Sequence, residues 1–255
     1  SSKLALKSWH PPTFAPPPRA TCFHDPRARG LRATYFRVMA AQILNRAPGI
    51  AGHLLLNLRD ASRHGNRAAF RWNMQRMGRE LGSVLAQSWP MAEASCTTPL
   101  GTATEQVPAR QPVLACILRA SMPLHQGVMD VWDAADGAFV SAYRKHHDTG
   151  FDIEIEYLGA PSMEGRALVL VDPMLATGAS LQAAYDALCE TGVPASVHVL
   201  AAIASNEGLI NAQQWLPEGT SFILGGVDPE LNEHGYIVPG LGDAGDLAFG
   251  PKTRS

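Results

Sequence analysis

An acid stands where this chain changes character. Residues 168–171 (LVLV) form an unbroken apolar run and Asp172 follows it. Pro173, Met174, Leu175, Ala176, Thr177, Gly178, Ala179 and Ser180 come next, and from Leu181 the spacing turns helical (LQAAYDAL). An apolar run that ends in a glycine-bearing turn and opens a helix is how a buried parallel strand feeds an anion site. Backbone amides and the hydroxyls of Thr177 and Ser180 can face an anion there, and the helix N-terminus adds partial positive charge. A carboxylate at the strand end can hold sugar hydroxyls. A phosphorylated sugar is therefore the first ligand to consider. The competing reading of Asp172 is a helix-capping acid in a structural turn.

Two arginines stand in comparable places. Arg119 follows the apolar run PVLACIL, and Arg144 follows AFVSAY. Ligands of parallel sheets gather at the C-terminal strand ends, and guanidinium groups bind phosphate oxygens in pairs. The two arginines thus read as a diphosphate clamp, or else as surface ion-pair partners. The polar run Lys145, His146, His147, Asp148 comes directly after. Adjacent histidines on an extended segment point opposite ways, and no third ligand has useful spacing, so a mobile covering loop is expected rather than a metal site. Residues 230–246 (ELNEHGYIVPGLGDAGD) are rich in glycine and polar groups. Main-chain N–H and C=O groups in such a segment suit a small planar ligand with amide-like edges. The competing reading is a connecting loop with an Asx turn at Asp243.

The segment DPMLATGAS resembles the 5-phosphoribosyl-1-diphosphate (PRPP) loop of type I phosphoribosyltransferases. Its Asp-Pro opening resembles the uracil branch of that family, in which Pro173 stands in place of a second acid. Residues 230–246 are similar to the C-terminal uracil-binding segment of the same branch. ILRAS resembles the family's ILRAG, with Ser121 in place of glycine, and Ala179 replaces a second loop glycine. Residues 141–165 and 124–139 resemble one bacterial-type subgroup. The resemblance runs from about Leu55 to Lys252 and leaves out the first fifty residues.

The resemblance implies an α/β chain with the type I phosphoribosyltransferase fold, a parallel core sheet flanked by helices under a C-terminal and β-arm hood. It implies the reaction of uracil with PRPP to give UMP and diphosphate. Arg119, Arg144, Asp172 and Asp243 would carry catalysis. PRPP would lie on Arg119, Arg144, residues 172–180 and Asp243. Uracil would lie on Tyr236, Ile237, Gly242, Asp243 and Ala244, mostly through main-chain groups. Mg²⁺ would bind mainly through PRPP oxygens and water, with Asp172 as the one protein carboxylate near it. The C1–O bond loosens first, charge builds on the ribose, and the base attacks the opposite face. Such chemistry needs a stabilised leaving group, a placed nucleophile and exclusion of water, with no dedicated general base. A homo-oligomer (dimer or tetramer), a GTP effector, a cytoplasmic location and no nucleic-acid partner are further implications. The rival from another class is a non-catalytic regulator that senses PRPP or uracil nucleotides.

The elements that must position these residues alternate between strand and helix. Apolar runs at 113–118, 138–143, 168–171, 197–203 and 221–224 read as core strands, and their βα order predicts a parallel sheet. Residues 151–157 alternate apolar and acidic and read as an antiparallel strand. Phe70, Met74, Met77, Leu81 and Leu85 recur at helical spacing and predict a helix over 66–88. Further helices are expected at 31–47, 127–132, 181–190 and 207–215, and a loop or short hairpin at 90–111.

Composition bounds the rest. With 255 residues and 46% hydrophobic content, the chain can bury a large core, and no apolar run approaches a bilayer span. No GxxxxGK[ST] loop is present, which disfavours a kinase. Cys22, Cys96, Cys116 and Cys189 lack CxxC spacing, and Cys116 and Cys189 read as reduced core residues. Residues 1–50 hold eight Lys or Arg against one acid, Asp25, whereas the remainder holds thirteen against twenty-two. The expected organisation is a basic, proline-rich extension over 1–50 and a catalytic domain over 51–255. An extension packed on the body, an organelle-targeting peptide, a nucleic-acid tail and a disordered leader all fit the first part. The chain opens on Ser1 rather than Met, as a processed or truncated chain would.

Overall fold

The computed structural model describes residues 41–147 and 150–252, with the side chains of 142–147 and 150–154 outside the description. A seven-stranded sheet runs through it. In chain order the strands are β1 (Gln42–Ile43), the pair β2 (Met91–Thr98) and β3 (Gly101–Pro108), then β4 (Val113–Leu118), β5 (Asp136–His147), β6 (Gly150–Gly159), β7 (Ala167–Leu175), β8 (Ser196–Ser205) and β9 (Ser221–Asp228). β10 (Glu230–Leu231) and β11 (Ile237–Val238) close the series. The helices are α1 (Ala51–Arg59), α2 (Arg67–Gln87), α3 (Met122–Met129), α4 (Ala179–Cys189), α5 (Asn206–Trp215) and α6 (Ala244–Phe249). The sheet order is β1-β9-β8-β7-β4-β5-β6, parallel throughout except for β6. β2–β3 and β10–β11 are separate antiparallel pairs.

Period-two alternation decides which layer each strand residue joins. Val169, Val171, Leu114, Leu200 and Ile223 face one side, where they pack with Leu54, Phe70, Met77, Leu81 and Leu124 from α1, α2 and α3. Leu168, Leu170, Val113, Val199 and Leu224 face the other side, where Leu181, Ala184, Leu188 and Ala212 from α4 and α5 cover them. The chain is thus a helix–sheet–helix stack. A strand buried on both faces has no use for polar residues, which explains the unbroken apolar runs. The apolar stripe of α2 is fully engaged, with Phe70, Met74, Met77, Leu81 and Leu85 all buried, and Asn66 caps the helix by accepting from Ala69 N at 3.0 Å.

Several expected boundaries move. α3 begins at Met122 rather than near Gly127, because Pro123 in its first turn needs no backbone partner there. β5 continues to His147 and pairs with β6, Lys145 opposite Asp152 and His146 opposite Phe151. Lys145 to His147 therefore lie on a strand, not the mobile loop expected. The alternating segment after them supplies the partner that keeps them extended. Asp148 lies outside the described residues. β7 extends through Leu175, so Asp172 to Leu175 are strand and only Ala176 to Gly178 form the turn. Of the helix expected over 31–47, the described part is instead strand at Gln42–Ile43 and a 3-10 turn at Leu44–Arg46, with β1 laid beside β9. Residues 31–40 and Cys22 lie outside the described residues. Among those described, no helix is long and apolar enough to cross a membrane.

His198 sits at the opposite end of β8 from the turn after β7. Its ring packs 5.2 Å from that of Trp89, Nδ1 is 2.6 Å from Ser221 Oγ, and Nε2 is 3.2 Å from Ser196 Oγ. Burial holds its pKa down at about 4. The unfolded chain binds this proton more readily, so the protein loses stability as pH falls from the ordinary 6.5 towards about 4. Urea unfolding at pH 7 and pH 5 should show this loss as a change of about 1–2 kcal/mol in the stability difference between the parent and His198→Asn.

Candidate active site

The β7–α4 turn is held from behind. Ser205 ends β8 and caps α5, accepting from Gly208 N at 2.8 Å while donating to Ala176 O at 2.6 Å. Asn211 Nδ2 donates to Thr177 O at 3.3 Å. A side-chain Cβ at position 208 would collide with Ala176 O, so only glycine admits α5 this close. With these carbonyls committed to α5, the amides of the first turn of α4 are the groups left to meet an anion. Gly178 has φ +85°, ψ −6°, a left-handed conformation that lets strand pass into helix within three residues. Ala179 already belongs to α4, where helical φ is negative, so its methyl costs nothing in the backbone. Thr177 Oγ1 accepts from Ala179 N at 3.3 Å.

Asp172 precedes this turn, on the last part of β7 opposite Ala201. Its Oδ1 accepts from Met174 N at 3.2 Å, and burial pushes its pKa up to about 7. A carboxyl whose charged form is disfavoured in this way gains when a cation or hydroxyl groups arrive beside it. On the neighbouring strand the Cys116 thiol is pushed up to about 12 by burial and by Asp172, which removes it as a nucleophile. Cys189 is half-buried and Cys96 exposed.

Arg119 leaves the C-terminal end of β4 after a cis Leu118–Arg119 peptide and meets the C-terminal segment. Its Nη2 donates to Asp246 Oδ1 at 3.1 Å and to Gly250 O at 2.6 Å. Its Nε is buried without a hydrogen-bond partner, as is Ser121 Oγ two residues on. Asp243 caps α6, Oδ1 accepting from Asp246 N at 2.9 Å. Both bland readings therefore hold in part: Arg119 is an ion-pair partner and Asp243 is an Asx cap. The same contacts bring the C-terminal segment over the strand end. Ile237 and Ala244 are buried, Gly242 takes φ +89°, and Tyr236 is exposed. Tyr236 N and O are both engaged by Asn232, at 2.9 Å each. Arg144 lies on β5, three residues past Ser141, which pairs with Leu118. Its backbone thus follows the same end of the sheet as Arg119, and its side chain is outside the described residues. No group of three or more His, Cys, Asp or Glu suited to a metal occurs among the described residues.

A profile of the family described as uracil phosphoribosyltransferase matches residues 48–251. A uracil phosphoribosyltransferase of Porphyromonas gingivalis is 42% identical over 208 residues, covering 79% of this chain and 96% of its own. One from Methanothermobacter thermautotrophicus is 40% identical over 185 residues, covering 72% and 84%. A solved structure of an Aquifex aeolicus protein superimposes with a TM-score of 0.72 at 28% identity, covering 80% of this chain and 96% of that one.

The chain belongs to the uracil phosphoribosyltransferase family. The parallel sheet with helices on both faces is the fold that the sequence implied. As a uracil phosphoribosyltransferase chain it also shows supports that sequence reading passed over. Ser205, Gly208 and Asn211 fix the turn, and only the strand-end Ser205 ahead of a helical run hinted at it. Asp246 pairs with Arg119, and nothing in its spacing marks it. Arg59 and Asp228 are joined across the fold at 2.7 and 2.8 Å. Asp228 shares with Asp172 the mark of an acid closing an apolar strand.

The Asp172 environment has a consequence for stability. The folded protein holds this proton more tightly than the unfolded chain, so stability falls as pH rises from the ordinary 3.8 through about 7. Asp172→Asn should therefore be more stable than the parent at pH 8, by about 2–4 kcal/mol, with the gap closing towards pH 4. Denaturant midpoints across that range check it.

Proposed function

We propose that this protein transfers the phosphoribosyl group of PRPP to uracil, releasing diphosphate and forming UMP. The observation that carries the reading is the contact between Arg119 and the C-terminal segment. It brings the proposed base segment to the end of β4, the strand beside β7 and its turn. Family membership supports the same reaction, and nothing in the comparisons favours a sensing regulator.

In this reading the amides of Gly178, Ala179 and Ser180 and the Thr177 and Ser180 hydroxyls receive the 5-phosphate. Pro173, Met174, Leu175 and Ala176 carry the backbone from Asp172 into the turn. Asp172 holds the ribose hydroxyls. Arg119 has a buried Nε without a partner, a donor that gains an acceptor when diphosphate binds. Arg144 stabilises the leaving group from the neighbouring strand. Main-chain groups of Ile237, Gly242 and Ala244 receive the uracil edges, with Tyr236 flanking them and Asp243 turned between base and PRPP. Residues 230–250 keep water from the charged ribose.

A single strand-end acid, Asp172, fits a Mg²⁺ carried mainly by PRPP and water. When bound, the ion supplies positive charge to the diphosphate. A raised Asp172 pKa fits the same role, since ionisation is then favoured by the bound cation. The reading also includes a homo-oligomer, a GTP effector and a basic extension over 1–50 ahead of the catalytic domain.

Purified protein given labelled uracil, PRPP and Mg²⁺, with and without GTP, should form UMP. Arg144→Ala should lower kcat/KM by about 100-fold or more. Absence of UMP from the parent under both conditions would refute the reaction.

A further inference from the structure

Gly240 lies in the middle of the C-terminal segment, between the residues assigned to the two edges of the base. Its amide donates to Asp228 Oδ2 at 3.0 Å, a bond buried from water. Its carbonyl accepts from Arg59 Nη1 at 2.9 Å. Arg59 and Asp228 are themselves paired in a fork, Nη1 to Oδ2 at 2.7 Å and Nη2 to Oδ1 at 2.8 Å. One ion pair thus holds both polar groups of one residue. Asp228 is 6% exposed, so the pair works where water competes little. Gly240 takes φ +60°, and a Cβ there would collide with Ile237 O, which ties the gripped residue directly to a base-facing main-chain group.

The partners are rigidly sited. Asp228 closes β9, a core strand, and Arg59 closes α1, whose Leu54, Leu55 and Leu58 are buried against the sheet. Main-chain readout needs this, because backbone groups have no rotamers with which to adjust and their placement is the specificity. We propose that Arg59 and Asp228 are positioning residues for the pyrimidine base, setting the Ile237–Gly242 turn through Gly240. The proposal rests on the reaction given above. Neither side chain is assigned a contact with substrate.

Steady-state kinetics with uracil and PRPP varied separately test it, in the full chain carrying Arg59→Met, Arg59→Lys, Asp228→Asn or the Met/Asn double change. A lost charge-assisted hydrogen bond predicts a KM for uracil raised about 10-fold or more in Arg59→Met and Asp228→Asn. The KM for PRPP should stay within about 2-fold, since the phosphate turn is held by α5 and not by this pair. Arg59→Lys keeps a donor for Gly240 O and should recover part of the loss. The double variant should cost little more than either single one. Affinity for UMP, measured by calorimetry on the same variants, should fall in parallel and gives a second readout that needs no turnover. An unchanged KM for uracil in folded variants overturns the proposal alone. So does an equal rise in both KM values alongside a fallen Tm, which marks general destabilisation. A parent protein that neither forms UMP nor binds it overturns the reaction and the proposal with it.

Discussion

The site depends on where the carbonyls of a three-residue turn point. Ala176 O and Thr177 O are claimed by Ser205 and Asn211, and Gly208 brings α5 close enough for this to happen. A buried backbone carbonyl left without a partner is costly, so this arrangement is stable only with the peptide planes turned one way. That same arrangement leaves the amides of the α4 N-terminus outside the contacts with α5. The proposed anion site therefore rests on hydrogen bonds that the loop makes to α5. It also explains why the loop can be so poor in charged residues: the helix terminus and its amides supply the positive field.

The second half of the site is assembled over much longer distances in the chain. Residues after β9 have little regular structure of their own, with two-residue strands and a six-residue helix. Side-chain contacts give them a fixed course. Arg119 ties α6 and Gly250 to the end of β4, and Arg71 Nη1 donates to Ala248 O at 2.7 Å. The Arg59–Asp228 pair fixes the turn before α6. Folding entropy is thus offset segment by segment by ion pairs and hydrogen bonds anchored in the rigid layers, and the proposed base site inherits its precision from them.

Core strands and the α2 stripe were legible in the sequence because burial on both faces, or on one helical face, leaves a periodic signal. Val113–Leu118 is strand as the apolar run implied, and Phe70 to Leu85 are buried in the order their spacing required. Boundaries were less legible where local chemistry competed with partner strands. Asp172 to Leu175 read as loop because of Asp and Pro, yet parallel pairing with β8 carries them on as strand. Lys145 to His147 read as loop because they are polar, yet β6 offers them a ladder. In the candidate site, the turn and the arginines carried a visible signature of residue type. Arg59 and Asp246 did not, and Ser205 and Asp228 carried only the mark of closing an apolar strand, since their roles arise only when distant segments meet.

Hydrogen–deuterium exchange read by peptide would test most directly whether the turn and the C-terminal segment serve one ligand. UMP carries both a 5-phosphate and a uracil, so it should slow exchange over residues 177–182 and 237–244 together. PRPP with Mg²⁺ should slow the first stretch and leave 237–241 exchanging as in the free protein. Protection by UMP confined to other parts of the chain, or absent from both stretches, would contradict the account.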